Sequence, residues 1–288
     1  MWRVAAVFCC IFPCLLHAQQ QQNGRQWVLV TAPGSVPVAE VVMNDARVTQ
    51  DGRVANIPTI IQKEAPFRFG LLFDESGSGR RLPSHDDILQ RVLDWLGEKI
   101  NQQKGDGFLV GFNDQIVTST QITNNTSQLR LALKQLRPTG GSAVRDAVIH
   151  ASQKFDSVMP DPQPAGRILL LVSDGVDNAS YSKERNAIES AQRSGVRVYA
   201  IGLPSSNASA GKGFLQQLAI DTGGQAFFPA DANELDRALA DIEGDLRGSF
   251  MVGFVPEMRD GKAHKLRFDL AKSEAHLRYA TVFYTPTK

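Results

Sequence analysis

The chain has 288 residues, 42% hydrophobic and 21% charged, enough for one large domain or a medium domain with a small companion. Its 31 Lys and Arg against 30 Asp and Glu give a formal charge of +1, without the basic excess of a nucleic-acid binder. The 3 cysteines (Cys9, Cys10 and Cys14) all fall near the start of the chain, so the remainder must be held by its core and not by disulfides.

Residues 1–18 read as a secretory signal peptide. Arg3 precedes an apolar run over 4–16, and His17-Ala18-Gln19 offers a small residue at the cut, expected after Ala18. The run is short for a membrane-spanning helix, so no stable membrane insertion is expected once it is removed. Bulky Phe12-Pro13 before Cys14 argue against a lipid-anchor site. Cleavage takes Arg3 and every cysteine with it, leaving a mature net charge of zero. A cysteine-free exported chain fits a bacterial protein, secreted or periplasmic.

Residues 19–66 follow as a linker and β segment. Gln19 to Gln22 is a polar tract. Residues 27–31 read as a strand, and Asp51-Gly52 as a hairpin turn between strands at 46–49 and 53–61. One or two helical turns fit 38–46.

Residues 67–247 alternate strand and helix. Residues 67–73 form an apolar strand. Ser84 then fits an N-cap, with Asp86 and Asp87 in the first turn and Ile88, Leu89, Val92, Leu93, Leu96 and Ile100 at helical spacing. A strand at 108–112 can pair with 115–119 across Asn113-Asp114. Thr126 can cap a helix carrying Leu129, Leu133 and Leu136, and another helix spans about 143–158. Ile168-Leu169-Leu170-Leu171-Val172 is apolar on both faces, as a central parallel strand must be. A helix over 182–194 ends at Gly195. A strand at 196–201, a short helix at 213–222 and a strand at 225–228 come next. Asp231-Ala232-Asn233-Glu234 resembles a capping box before Leu235, Leu239, Ile242 and Leu246. Strands parted by helices imply βαβ units. Residues 248–288 read as strands again and are expected to pack with 26–66.

Three segments bring oxygen donors to one rim. Asp74-Glu75-Ser76-Gly77-Ser78 follows the first parallel strand, with a carboxylate and two hydroxyls at alternate positions. Pro138-Thr139-Gly140-Gly141-Ser142 is a flexible loop ending in a hydroxyl at a helix start. Val172-Ser173-Asp174-Gly175 puts Asp174 at the carboxyl end of the central strand. Open α/β sheets bind ligands at such strand ends. Hard oxygen donors suit Mg²⁺, with Mn²⁺ or Ca²⁺ as alternatives.

On these residues the chain resembles a von Willebrand factor type A domain with a metal-ion-dependent adhesion site. Asp74, Ser76 and Ser78 match its Asp-x-Ser-x-Ser element, and Asp174 matches its later aspartate. Ser142 stands where the family usually has Thr, keeping the hydroxyl without the methyl that fixes its rotamer. Ser173 to Asn178, Val198 to Leu203 and Thr222 to Phe228 are similar to exported bacterial proteins of the type A-related class. The resemblance is strongest over 67–247. It implies an α/β fold with a doubly wound, mainly parallel sheet in strand order 3-2-1-4-5-6, one edge strand antiparallel, flanked by helices. The strands bearing Asp74 and Asp174 are then neighbours at the switch point. It also implies that Ser76 and Ser78 coordinate directly, Ser142 directly or through water, and both aspartates through water. A protein partner's Glu or Asp would complete the shell, on a rim that includes Glu75, Arg80, His85, Gly141 and Asp177. As plain surface, Glu75 and Arg80 would be solvated loop residues and Asp177 would cap a turn.

The resulting expectation is a non-catalytic binding module. A metal-dependent hydrolase would need a nucleophile and a base. Ser78 lacks the Gly-x-Ser-x-Gly elbow because position 76 is serine, and the histidines His85, His150, His264 and His276 are scattered. A scaffold with a vestigial metal site is the third reading.

Overall fold

A computed structural model describes residues 26–32, 46–54, 60–62, 66–77, 85–102, 105–135, 137–157, 164–204, 208–270 and 277–285. The expected signal peptide, the polar tract, the helical turns before residue 46 and the Ser84 cap lie outside these residues. In chain order the elements are β1 (Gln26–Thr31), β2 (Ala46–Gln50), β3 (Arg53–Val54), β4 (Ile60–Gln62), β5 (Phe67–Asp74), α1 (His85–Gln102), β6 (Asp106–Phe112), β7 (Ile116–Ser119), α2 (Thr126–Leu133), α3 (Val144–Asp156), β8 (Gly166–Ser173), α4 (Glu184–Arg193), β9 (Val196–Gly202), α5 (Ala208–Asp221), β10 (Ala226–Phe227), α6 (Ala232–Arg247), β11 (Ser249–Phe254), β12 (Ala263–Leu270) and β13 (Val282–Tyr284).

Strands apolar on both faces must be covered on both faces, and β5, β6, β8 and β9 are. They form a six-stranded sheet in the order β10-β9-β8-β5-β6-β7, parallel except for β7. Counted from β5, this is the expected 3-2-1-4-5-6 order. Leu71 and Phe73 of β5, Leu170 of β8 and Tyr199 of β9 face α1, α2 and α6, meeting Leu93, Leu96, Leu129 and Ile242. The alternate residues Leu72, Phe108, Leu171 and Val198 face α3, α4 and α5, meeting Val148, Phe155, Ala187 and Leu215. Period-two alternation in the strands thus divides the core into two layers. Each fully buried Leu or Phe contributes about 1.5–3 kcal/mol.

The terminal segments build two further antiparallel sheets, β1-β11-β4 and β13-β12-β2-β3. Alternation decides their stacking as well. Leu29 and Met251 point into the α/β core, while Val28, Val30, Phe250, Val252 and Phe254 meet Val48, Leu266, Phe268 and Phe283 of the outer sheet. The expected small β unit is therefore a two-layer sandwich whose inner sheet also rests on the α/β layers. Asp51 and Gly52 take φ of +49° and +81°, the left-handed pair that a type I′ hairpin turn between β2 and β3 requires.

Local chemistry sets the helix starts. Asp231 caps α6, accepting the Glu234 amide at 2.8 Å, and Glu234 reaches back to the Ala230 amide at 2.8 Å, one residue beyond a standard capping box. Asn125, not Thr126, caps α2, accepting the Ser127 amide at 3.0 Å. Helix α5 starts five residues before the expected position 213. Among the described residues, no helix is long and apolar enough to cross a membrane.

Candidate metal centre

The neighbours β5 and β8 pair in parallel up to Phe73 and Val172, so Asp74 and Ser173 end their strands side by side. Four loops meet above them and are joined through their backbones. The Glu75 amide donates to the Phe112 carbonyl at 2.6 Å, and the Thr139 amide to the Glu75 carbonyl at 2.7 Å. Gly77 donates to the Gly140 carbonyl at 3.0 Å, and Ala143 to the Asn113 carbonyl at 2.7 Å. The Ser142 carbonyl accepts from Asn178 and Ala179 at 3.0 and 3.1 Å, while the Ser142 amide donates to Asn178 Oδ1 at 2.9 Å.

Asp74 lies at the centre and is 2% exposed. Its Oδ1 accepts the Ser76 amide at 2.9 Å. Its Oδ2 accepts two hydroxyls, Ser142 Oγ at 2.9 Å and Ser173 Oγ at 2.6 Å. Burial pushes the Asp74 carboxyl above the usual range, and the bonds from Ser173, Ser76 and Ser142 recover only part of that. Asp174 is buried on the next strand end, and its Oδ1 accepts the Val176 amide at 3.0 Å. Ser173 Oγ accepts the Gly175 amide at 2.9 Å, so the same hydroxyl links both strand ends.

The structure thus joins Asp74 to Ser76 and Ser142, and places Asp174 next in the chain to Ser173, whose hydroxyl also bonds Asp74. Ser78 and Arg80 lie outside the described residues, and so does the side chain of His85, the first residue of α1. Gly141 passes so close to the neighbouring loop that an added Cβ would stand 2.6 Å from Asn178 Oδ1. Glu75 corrects an expectation. It is 1% exposed rather than solvated, because bonds to Phe112 and Thr139 fix both its backbone groups beneath the loops. Asp177 does cap a turn, accepting Ser180 N and Oγ at 3.0 and 2.7 Å. It also accepts the Arg145 amide at 2.9 Å and pairs with that guanidinium at 2.8 Å. Burial would raise its pKa, but Arg145 and Ser180 hold it below the ordinary value.

The sequence assigns no role to Ser173, and to Asn178 only a capped turn or a place behind the cation ligands. The one signal for Ser173 is a hydroxyl closing an otherwise apolar strand. The bond that Asn178 accepts from the Ser142 amide becomes visible only once its loop is seen to meet the 138–143 loop.

The chemistry of this set fits a hard cation. Ser142 and Ser173 have given their single hydroxyl hydrogens to Asp74, so each keeps only lone pairs for another neighbour. Two buried carboxylates from adjacent strands supply negative charge. Among the described residues, no three His, Cys, Asp or Glu side chains cluster as a metal site, so hydroxyls are an essential part of any donor set here.

The von Willebrand factor type A domain matches residues 70–241, and the chain belongs to this family. Three solved structures share the fold. The PilB minor pilin of Streptococcus sanguinis is 16% identical, over 64% of this chain and 62% of that one, with a TM-score of 0.52. An aerotolerance-related membrane protein of Bacteroides fragilis NCTC 9343 is 18% identical, over 63% and 99%, with a TM-score of 0.50. Proximal thread matrix protein 1 of the mussel byssus, with a zinc-occupied MIDAS motif, is 17% identical, over 67% and 48%, with a TM-score of 0.51. At these identities the likeness is one of fold. No curated protein matches the chain.

Proposed function

We propose that this protein is an exported, non-catalytic binding module that grips a protein ligand through a divalent cation held at the ends of β5 and β8. The observation that carries the reading is the Asp74 carboxylate, buried and capped by the hydroxyls of Ser142 and Ser173, beside Asp174. Ser76, Ser142 and, by the sequence match, Ser78 would hold the ion, with Asp74 and Asp174 acting through water. Mg²⁺ suits this arrangement because it keeps several waters and takes few carboxylates. With much of the protein charge one step from the ion, the ion stays electrophilic, and a Glu or Asp of the partner is the natural further ligand. The zinc-occupied site named for the mussel protein supports metal uptake on this fold. Export rests on the N-terminal pattern, with cleavage after Ala18, and the binding domain is assigned to 67–247.

Calorimetric titration with Mg²⁺ and Mn²⁺ tests the site. Wild type is expected to bind one ion and Asp74→Ala none, and identical isotherms would refute the reading. Partner capture from the native periplasm or medium is expected to be lost on adding a chelator.

A further inference from the structure

The turn that carries Asp174 rests on bare helix backbone. A Cβ added at Gly211 of α5 would stand 2.2 Å from the carbonyl carbon of Gly175, 2.3 Å from the carbonyl oxygen of Asp174 and 2.5 Å from the Val176 nitrogen. From the other side, a Cβ on Gly175 would stand 2.6 Å from the Gly211 carbonyl oxygen and 2.8 Å from Leu215 Cγ. Gly175 also has φ of +76°, which favours glycine by itself. No rotamer change can relieve a clash of Cβ with backbone, so either the helix or the turn would have to move.

The atoms facing Gly211 belong to the peptide units around Asp174. The Val176 amide among them donates to Asp174 Oδ1 at 3.0 Å, and the Gly175 amide donates to Ser173 Oγ. Ser173 Oγ in turn donates to Asp74 Oδ2 at 2.6 Å. A displacement of this turn therefore reaches both carboxylates.

Gly213, two residues further along the same helix, has nothing within 4 Å of its Cβ position. Helix propensity favours alanine over glycine at both positions by roughly 0.5–1 kcal/mol. Only at Gly211 does the surrounding space demand glycine.

We propose that Gly211 is a positioning residue for the cation site, setting by backbone contact where Asp174 stands relative to Asp74. This assignment rests on the cation reading above.

The test titrates Mn²⁺ into wild type, Gly211→Ala and Gly213→Ala, and follows amide exchange of Gly175 and Val176 in the metal-free proteins. Gly213→Ala is expected to bind as wild type does. Gly211→Ala is expected to keep its far-UV spectrum, bind about 10–100-fold more weakly and exchange the Val176 amide faster. Equal affinity in the two alanine variants overturns the assignment and leaves the cation reading standing, whereas no uptake by wild type overturns both. If Gly211→Ala does not fold, Leu215→Ala serves instead, since it empties the space beneath Gly175 without adding an atom. A loss of about tenfold in Mn²⁺ affinity supports the assignment, and unchanged affinity overturns it.

Discussion

Ser142 donates its hydroxyl hydrogen to Asp74 Oδ2 at 2.9 Å, joining two loops 68 residues apart. That bond turns the remaining lone pairs of Ser142 toward any third group. Ser142→Thr keeps the hydroxyl and adds a methyl that restricts χ1, so cation affinity is expected to hold or rise. Ser142→Ala removes a donor atom and one of the two hydroxyls on Asp74 Oδ2, and affinity is expected to fall about 10–100-fold. Titration of both variants with Mg²⁺ checks the pair, and an alanine variant that binds like threonine would exclude Ser142 from the site.

Asp74→Asn separates the charge from the shape. The raised Asp74 pKa means that burial disfavours the ionised carboxylate in the metal-free fold. An amide of the same size removes that cost, and the hydroxyls of Ser142 and Ser173 can accept from it instead of donating. The thermal midpoint of the metal-free variant is therefore expected to equal or exceed that of wild type. Wild type should gain about 2.7 kcal/mol from Mg²⁺ at one hundred times its dissociation constant, and the variant nothing. Thermal melts with Mg²⁺ and with chelator read both effects, and a variant that keeps its Mg²⁺ shift would remove Asp74 from the site.

Much of this arrangement is legible in the chain because it depends on strand ends. A strand whose last residues before Asp74 are all apolar, and another closing in the same way on Ser173-Asp174, give the parallel core and the rim together. The Asp231 cap of α6 is equally local, and so is the Asp51-Gly52 turn. What depends on which loops meet is not legible. Glu75 reads as a loop residue but lies beneath Thr139 and Phe112. Ser173 and Asn178 act across 99 and 36 residues of sequence, on Asp74 and Ser142. Helix α5 reads short because Gly211 and Gly213 weaken its first turns, although Gly211 answers to packing and not to propensity.

Arg197 of β9 joins the α/β layers to the sandwich. It is 2% exposed, and its Nη2 donates to the carbonyls of Leu29 at 2.7 Å and Arg278 at 3.2 Å. Its Nη1 donates to Thr31 Oγ1 and to Ser249 Oγ. Arg197→Met keeps most of the packing volume and leaves those acceptors without their donor. The expected cost is on the order of 3 kcal/mol, from bonds worth about 1.5–3 kcal/mol each to a charged donor, less the relief of burying no charge. Urea unfolding measures it, and a loss below about 0.5 kcal/mol, the range of neutral surface changes, would show that the sandwich docks without this residue.

His264 of β12 links the β2–β3 turn to the loop after β11. Its Nδ1 lies 2.7 Å from Asp51 Oδ2 and its Nε2 2.9 Å from Asp260 Oδ1, with Phe283 of the last strand alongside and Thr285, just after that strand, donating to Asp260 Oδ1. Only an imidazolium donates to both carboxylates at once. Burial alone would lower the His264 pKa, but Asp51 and Asp260 outweigh it and raise it above 6.5. The His264 hydrogen bond pulls Asp51 below 3.8, and it is the main cause taking Asp260 to about 2. Since the folded histidine holds its proton more tightly than the unfolded one, its contribution is complete below pH 6.5 and is lost as pH rises through the raised value. The aspartates contribute above pH 3.8, and that part is lost as pH falls toward about 2. The clamp is therefore strongest between these limits. Melting temperatures of wild type should fall from about pH 6 to about pH 9 by more than those of His264→Gln, whose side chain does not titrate. Parallel curves for the two proteins would mean that the imidazolium contributes nothing to holding the sandwich.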